Sequence, residues 1–200
     1  MEVYFTIDKT AVAEFKDRGS KFLAYAFPVK TPEAVKEALA EVKKEHPKAT
    51  HHCYAWRLGT GGLQFRASDD GEPSGSAGKP ILGQIDSKQI TDALIVVVRY
   101  FGGSLLGVPG LINAYKMSAA MVLQLIPVIQ KNIEVKYHLS FDYTIMNDVM
   151  MVVKQNNCTV LSQELQLFCE MEIGIPKTGE ELCLLRLKDI YGLSITKRKA

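Results

Sequence analysis

The run Ala93-Leu94-Ile95-Val96-Val97-Val98-Arg99-Tyr100 decides the fold, because it is apolar without alternation and rich in β-branched side chains. Such a run reads as a strand buried on both faces. It empties into Phe101-Gly102-Gly103-Ser104-Leu105-Leu106-Gly107-Val108-Pro109-Gly110. A helix is predicted from about Pro109 to Ile126, with Leu111, Ala114, Tyr115, Ser118, Ala119 and Val122 on one face. Upstream, residues 12–27 read as strand material around a turn at Asp17-Arg18-Gly19. Thr31-Pro32-Glu33 then opens a helix, with Thr as N-cap, Pro at the first position and an acid in the first turn. Val35, Ala38, Leu39 and Val42 form its apolar stripe, and Pro47 stops it.

Residues 51–58 (HHCYAWRL) and 63–67 (LQFRA) flank Gly59-Thr60-Gly61-Gly62 and are expected to form a hairpin with a four-residue loop. That register pairs Trp56 with Phe65 and places Tyr54, Trp56, Leu58, Leu63 and Phe65 on one apolar face. The other face, with Arg57 and Arg66, is expected to be polar and basic. Residues 68–80 follow without a large apolar side chain: Ser68-Asp69-Asp70-Gly71-Glu72-Pro73-Ser74-Gly75-Ser76-Ala77-Gly78-Lys79-Pro80. A loop of that length and composition is either functional or disordered, and Pro80 is placed to begin a short helix through Ile81, Leu82 and Ile85.

Beyond Pro127 the pattern changes. Strand, Met-rich amphipathic helix, two strands, helix and strand succeed one another at residues 137–143, 145–155, 158–162, 165–175, 177–188 and 193–196. This β-α-β-β-α-β order within some sixty residues predicts a ferredoxin-like module. The expected division is residues 1–133 and 134–200, an α+β protein of two domains.

Composition sets limits on function. Of 200 residues, 47% are hydrophobic and 23% charged, and 24 basic against 22 acidic side chains leave a net charge of +2. This excludes a chain whose overall charge drives polyanion binding. Residues 1–136 carry +3 and residues 137–200 carry −1, so any nucleic-acid contact is expected in the front part. Cys53, Cys158, Cys169 and Cys183 form no C-x-x-C pair, and each sits in an apolar run. The start, MEVYFTIDKT, has neither the basic nor the apolar region of a secretory signal. A cytoplasmic location without a membrane segment is expected.

Two glycine loops, each between a strand and a helix, invite an anion-binding reading through helix-terminal N–H groups. The candidates are Arg57, Arg66, Gly75, Gly78, Lys79, Arg99, Gly102, Gly103 and Lys116. The first loop fails the P-loop pattern, because Pro73 stands where a glycine is required and Pro80 replaces the magnesium-binding hydroxyl. No G-x-S-x-G elbow is present. If the protein were an enzyme, Asp69, Glu72, Ser74, Ser76 and Lys79 would supply acid, hydroxyl and amine. Adjacent His51 and His52 point to opposite faces of a strand, so no metal or other cofactor is expected.

The stretch Asp69-Asp70-Gly71-Glu72-Pro73-Ser74-Gly75-Ser76-Ala77-Gly78-Lys79-Pro80-Ile81-Leu82, with Val97-Val98-Arg99-Tyr100-Phe101-Gly102-Gly103 and Leu106-Gly107 through Gly110-Leu111, closely resembles the signatures of the IMPACT/YigZ family. His51-His52-Cys53-Tyr54-Ala55-Trp56-Arg57 resembles the histidine–cysteine strand that precedes them. The resemblance covers residues 1 to about 130, and the remainder looks like the smaller carboxy-terminal domain of bacterial YigZ-type members. It implies a front domain like the second domain of a small-subunit ribosomal protein, a mixed sheet with helices on one face. The back domain would be akin to the carboxy-terminal modules of elongation factor G. It also implies a link to translation, since eukaryotic relatives regulate translation by binding the activator of an amino-acid-starvation kinase through an additional amino-terminal domain. The expected function is therefore a non-enzymatic binding protein contacting RNA or a ribosome-associated factor through the front domain, without a DNA-specific motif. The alternatives are an enzyme with a cleft between the two glycine loops and a protein–protein adaptor.

Overall fold

The computed structural model of the chain describes residues 2–198. Contacts divide it into two units, residues 4–131 and residues 2–3 with 132–198. The first begins with β1 (Val3–Thr6), β2 (Ala11–Asp17), β3 (Ser20–Pro28), α1 (Pro32–Glu45), β4 (His51–Leu58) and β5 (Gln64–Ser68). It continues through α2 (Gly78–Ser87), β6 (Ala93–Tyr100), α3 (Gly107–Gln124) and β7 (Ile129–Asn132). Its main sheet has the order β2-β3-β6-β4-β5, and β1 pairs with β7.

As the unbroken apolar run demands, β6 is central, and its first seven residues are buried. Alternation along it separates two cores. Ala93, Ile95 and Val97 pack with Ile81 and Ile85 of α2 and with Leu111, Tyr115 and Val122 of α3. Leu94, Val96 and Val98 pack with Val35, Ala38 and Val42 of α1. Two expectations are thereby corrected. Helices cover both faces of the sheet, not one, and the sheet is not mixed: every ladder in it is antiparallel. The cause is topological. Both β3 and β4 run antiparallel to β6, hence parallel to each other, so the chain must cross over between them, and α1 makes that crossing on one face. An antiparallel strand covered on both sides carries the same apolar run as a parallel one. Thr31 caps α1, its side chain accepting from the Ala34 N–H at 3.2 Å.

The hairpin register also differs. Leu58 faces Gln64, Arg57 faces Phe65 and Trp56 faces Arg66, so the turn contains five residues, not four. Gly59 and Gly62 adopt positive φ, +81° and +61°, within it. A one-residue shift exchanges faces. Phe65 joins Arg57, whose guanidinium lies 4.9 Å from the ring centroid. Arg66 moves to the Trp56 side, so the expected face carrying both arginines does not form.

The second unit contains β8 (Glu134–Asp142), α4 (Met146–Gln155), β9 (Thr159–Leu165), β10 (Phe168–Pro176), α5 (Glu180–Lys188) and β11 (Ser194–Lys197), with sheet order β11-β8-β10-β9. All its ladders are antiparallel. Leu139 and Phe141 of β8, Met171 and Ile173 of β10, Val149 and Val153 of α4, and Cys183 and Leu187 of α5 form its core. The β9–β10 turn falls at Gln166-Leu167, later than the sequence suggests, because the alternating run carries no glycine or proline to mark it. Among the described residues no helix is long and apolar enough to cross a membrane.

Candidate functional site

The loop leaving β5 is built around Asp69. Its carboxylate accepts the N–H groups of Gly75 (2.8 Å), Ala77 (3.0 Å) and Gly78 (2.8 Å). Burial alone would raise its pKa, but the three N–H donors, from Gly75, Gly78 and Ala77, together with Lys79 hold it below the usual carboxylate range. The donors at the start of α2 are therefore occupied by the protein's own carboxylate, not left for an external anion. Gly78 is required for another reason: a Cβ there would stand 2.6 Å from the Ser68 nitrogen. Ser76 is buried, its hydroxyl donating to the Pro73 carbonyl at 2.6 Å. Ser74 and Lys79 are exposed.

Asp70 takes a left-handed φ of +42° and ties the loop to β4. Its side chain accepts the His52 N–H at 2.7 Å, and its carbonyl lies 2.7 Å from His51 Nδ1. A carbonyl oxygen only accepts, so Nδ1 is the donor in that contact. Glu72 then enters the protein, with only 4% of its side chain exposed. Its Oε1 accepts from Arg99 Nη1 at 2.6 Å and from the Tyr115 hydroxyl at 2.8 Å, and His51 Nε2 is 3.9 Å away. Arg99, 5% exposed, also reaches the Ser20 hydroxyl, and its guanidinium lies 5.6 Å from the ring centroids of Phe22 and Phe101. The Cys53 thiol sits 3.0 Å from the Asp69 carbonyl and 3.3 Å from the Tyr115 hydroxyl. Burial pushes that thiol up to about 12 and raises the Tyr115 hydroxyl well above its ordinary value, so both stay protonated near neutrality.

Of this network, His51, Glu72 and Arg99 line a cleft of about 370 Å³. Glu72 and Pro73 of the first loop face Phe101, Leu105, Leu106, Gly107 and Val108 of the second, with Thr50, His51, Arg99 and Leu111 between them. The two loops therefore open on one side, as the sequence allows. Their basic candidates do not converge. Arg99 is spent on Glu72, Arg57 on Asp86 at 2.7 Å and on the Gly62 carbonyl, and Arg66, Lys79 and Lys116 are exposed away from the cleft lining. Of the acid, hydroxyl and amine candidates for an enzyme, Glu72 alone lines the cleft. Gly102 serves packing, since a Cβ there would come within 1.9 Å of the Gly19 carbonyl carbon; Gly103, at φ +85°, and Gly75, at φ +77°, supply turns. Among the described residues no group of His, Cys, Asp and Glu is placed to hold a metal.

Sequence reasoning missed the roles of His51, Cys53 and Tyr115. The available signal was the i, i+2 spacing of His51 and Cys53, which puts both on the strand face that Arg99 shares across the ladder.

The fold and site define an α+β protein whose first unit presents a small apolar cleft lined by a buried ion pair. The Impact N-terminal domain family matches residues 18–123, which include both loops. An IMPACT family member of Haemophilus influenzae is 36% identical over 177 residues, covering 88% of this chain and 86% of the relative. The Escherichia coli family member YigZ is 34% identical over 169 residues, 84% of this chain and 82% of its own. A solved structure described as a hypothetical protein is 28% identical, with a TM-score of 0.77 over 100% of this chain and 98% of that one. The chain belongs to the IMPACT family.

Proposed function

We propose that this chain is a non-enzymatic binding protein linked to translation, and that its cleft takes an apolar segment of a ribosome-associated protein. Membership of the IMPACT family supports the link to translation. One observation carries the choice of a protein partner over RNA: large apolar side chains stand exposed at the cleft, Leu105 at 85%, Phe101 at 48% and Val108 at 46%, while Arg99, the arginine that lines the cleft, is already paired with Glu72. Phosphate binding depends on free cations, and an exposed apolar cluster marks a surface that is covered by a partner. The same reading takes the second unit as a ferredoxin-like module, supported by its β-α-β-β-α-β order. It takes the first as related to the second domain of a small-subunit ribosomal protein, a fold analogy only.

A second reading rests on His51. It lines the cleft with Nδ1 held by the Asp70 carbonyl at 2.7 Å, which leaves Nε2 as the nitrogen through which a proton would be exchanged with a substrate.

Crosslinking in cells, purification with and without RNase, and identification of what accompanies the wild type and Leu105→Glu test the choice. A ribosome-associated protein retained after RNase and lost from Leu105→Glu, with an unchanged melting temperature, is expected. Recovery of RNA alone, equally by both proteins, overturns it. Covalent trapping of a small molecule at His51 favours the enzyme.

A further inference from the structure

The second unit brings two thiols together that the cleft does not involve. Cys158 Sγ and Cys183 Sγ lie 3.5 Å apart although 25 residues separate them in sequence. Cys158 sits on the connection between α4 and β9, and Cys183 lies in α5. Cys183 is fully buried, whereas Cys158 is partly exposed, so Cys158 is the side from which a small reagent approaches the pair. We propose that Cys158 and Cys183 are an oxidative modification site, closing to a reversible disulfide when the protein meets a hydroperoxide.

A disulfide requires sulfurs about 2.05 Å apart, so the two must approach by roughly 1.5 Å. The surroundings permit this. Cys158 leads into β9, which is exposed at all seven positions, so a small shift of its first residues displaces no core side chain. The remaining cysteines differ. Cys53 is engaged with the Asp69 carbonyl and the Tyr115 hydroxyl, and Cys169 donates to the Gln166 carbonyl at 3.4 Å; both are buried, and neither has a sulfur partner.

The chemistry balances with a hydroperoxide as the only oxidant. The hydrogen bond from Cys158 and the nearby Arg186 hold the Cys183 thiol below its ordinary pKa against the opposing effect of burial. The Cys158 sulfur attacks the peroxide oxygen as its proton passes through solvent to the leaving oxygen. The O–O bond breaks, giving Cys158 sulfenic acid and an alcohol or water. The Cys183 sulfur then attacks the Cys158 sulfur, the S–O bond breaks, and the departing hydroxide leaves as water with the Cys183 proton. Two thiols lose two electrons and the peroxide gains them. A small thiol reverses the step by attacking the accessible Cys158 sulfur.

The test treats the whole chain with stoichiometric hydrogen peroxide and maps thiols by differential alkylation and peptide mass. The expected result is loss of two of the four thiols, a Cys158–Cys183 linked peptide, and full recovery with dithiothreitol. Cys183→Ser should stop at a Cys158 sulfenic acid trapped by dimedone, and Cys158→Ser should leave Cys183 a thiol. Oxidation of Cys53 or Cys169 before the pair, or disulfide-linked dimers through Cys158 in place of the internal link, overturns the proposal. The wild-type map decides even if a variant folds poorly.

Discussion

Glu72 and Arg99 are the residues on which the first unit depends most. Both side chains are at least 94% buried, at 4% and 6% exposure, and their ion pair is supported by Tyr115 and Ser20. Deleting one partner of a buried pair leaves the other charge uncompensated, which costs about 3–5 kcal/mol. Arg99→Ala is expected to lose that amount in denaturant unfolding, whereas Lys79→Ala, at an exposed position, should stay within about 0.5 kcal/mol of wild type. A small loss for Arg99→Ala would mean that the guanidinium is free for a ligand after all. Asp69 predicts a pH dependence. Its folded-state pKa lies below its unfolded value, so the folded protein binds fewer protons there. Its stabilisation is complete above the unfolded pKa, near 4, and is lost as pH falls through the lower folded value. Asp69→Asn should therefore lower stability at neutral pH and flatten the acid limb of the stability curve. An acid limb identical to wild type would place the carboxylate outside the three N–H contacts.

At the scale of elements, glycine decides how closely the loops approach the sheet. The turn between β2 and β3 meets the second loop at Gly19 and Gly102, where a Cβ on Gly102 would overlap backbone at 1.9 Å. Overpacking of ordinary side chains costs about 1–3 kcal/mol, and a clash with backbone exceeds that. Gly102→Ala is thus expected to lose at least about 3 kcal/mol, measured by thermal melting with urea unfolding, while Gly103→Ala meets open space and loses only what its positive φ imposes, about 1 kcal/mol. Equal losses for the two would refute the close approach. The glycines were legible in the sequence; their purposes were not, because a glycine for packing and a glycine for ligand approach have the same side chain. The β4–β5 hairpin was legible in the same partial way. Its existence follows from two strand-like runs around glycines, but its register depends on one residue of turn length, which no local pattern specifies.

For the whole molecule, the division into units gives an internal reporter. Trp56, the single tryptophan, belongs to the first unit, and Cys183 is buried in the core of the second. Unfolding followed by Trp56 fluorescence and by Cys183 alkylation should give separate transitions. Arg99→Ala should move the fluorescence transition and leave the alkylation transition within about 0.5 kcal/mol, as expected for residues of separate units without shared partners. Coincident shifts of both would show the chain unfolding as one cooperative body.

By itself the sequence determined most of the elements and the central place of β6, though not β1 and β7, because apolar periodicity, a Thr-Pro-Glu helix start and an unbroken β-branched run are local consequences of burial and backbone geometry. It also determined the two glycine loops, which open on a common cleft. Only the tertiary structure decided what those loops do. Arg99 and Glu72 are 27 positions apart and Tyr115 is 43 from Glu72, so their contacts depend on strand register and on which face α3 covers. That pairing turns an apparent anion-binding arginine into a structural one. Cys158 and Cys183 meet for the same reason: the connection after α4 and helix α5 pack onto one core, and sequence spacing carries no trace of the distance between them.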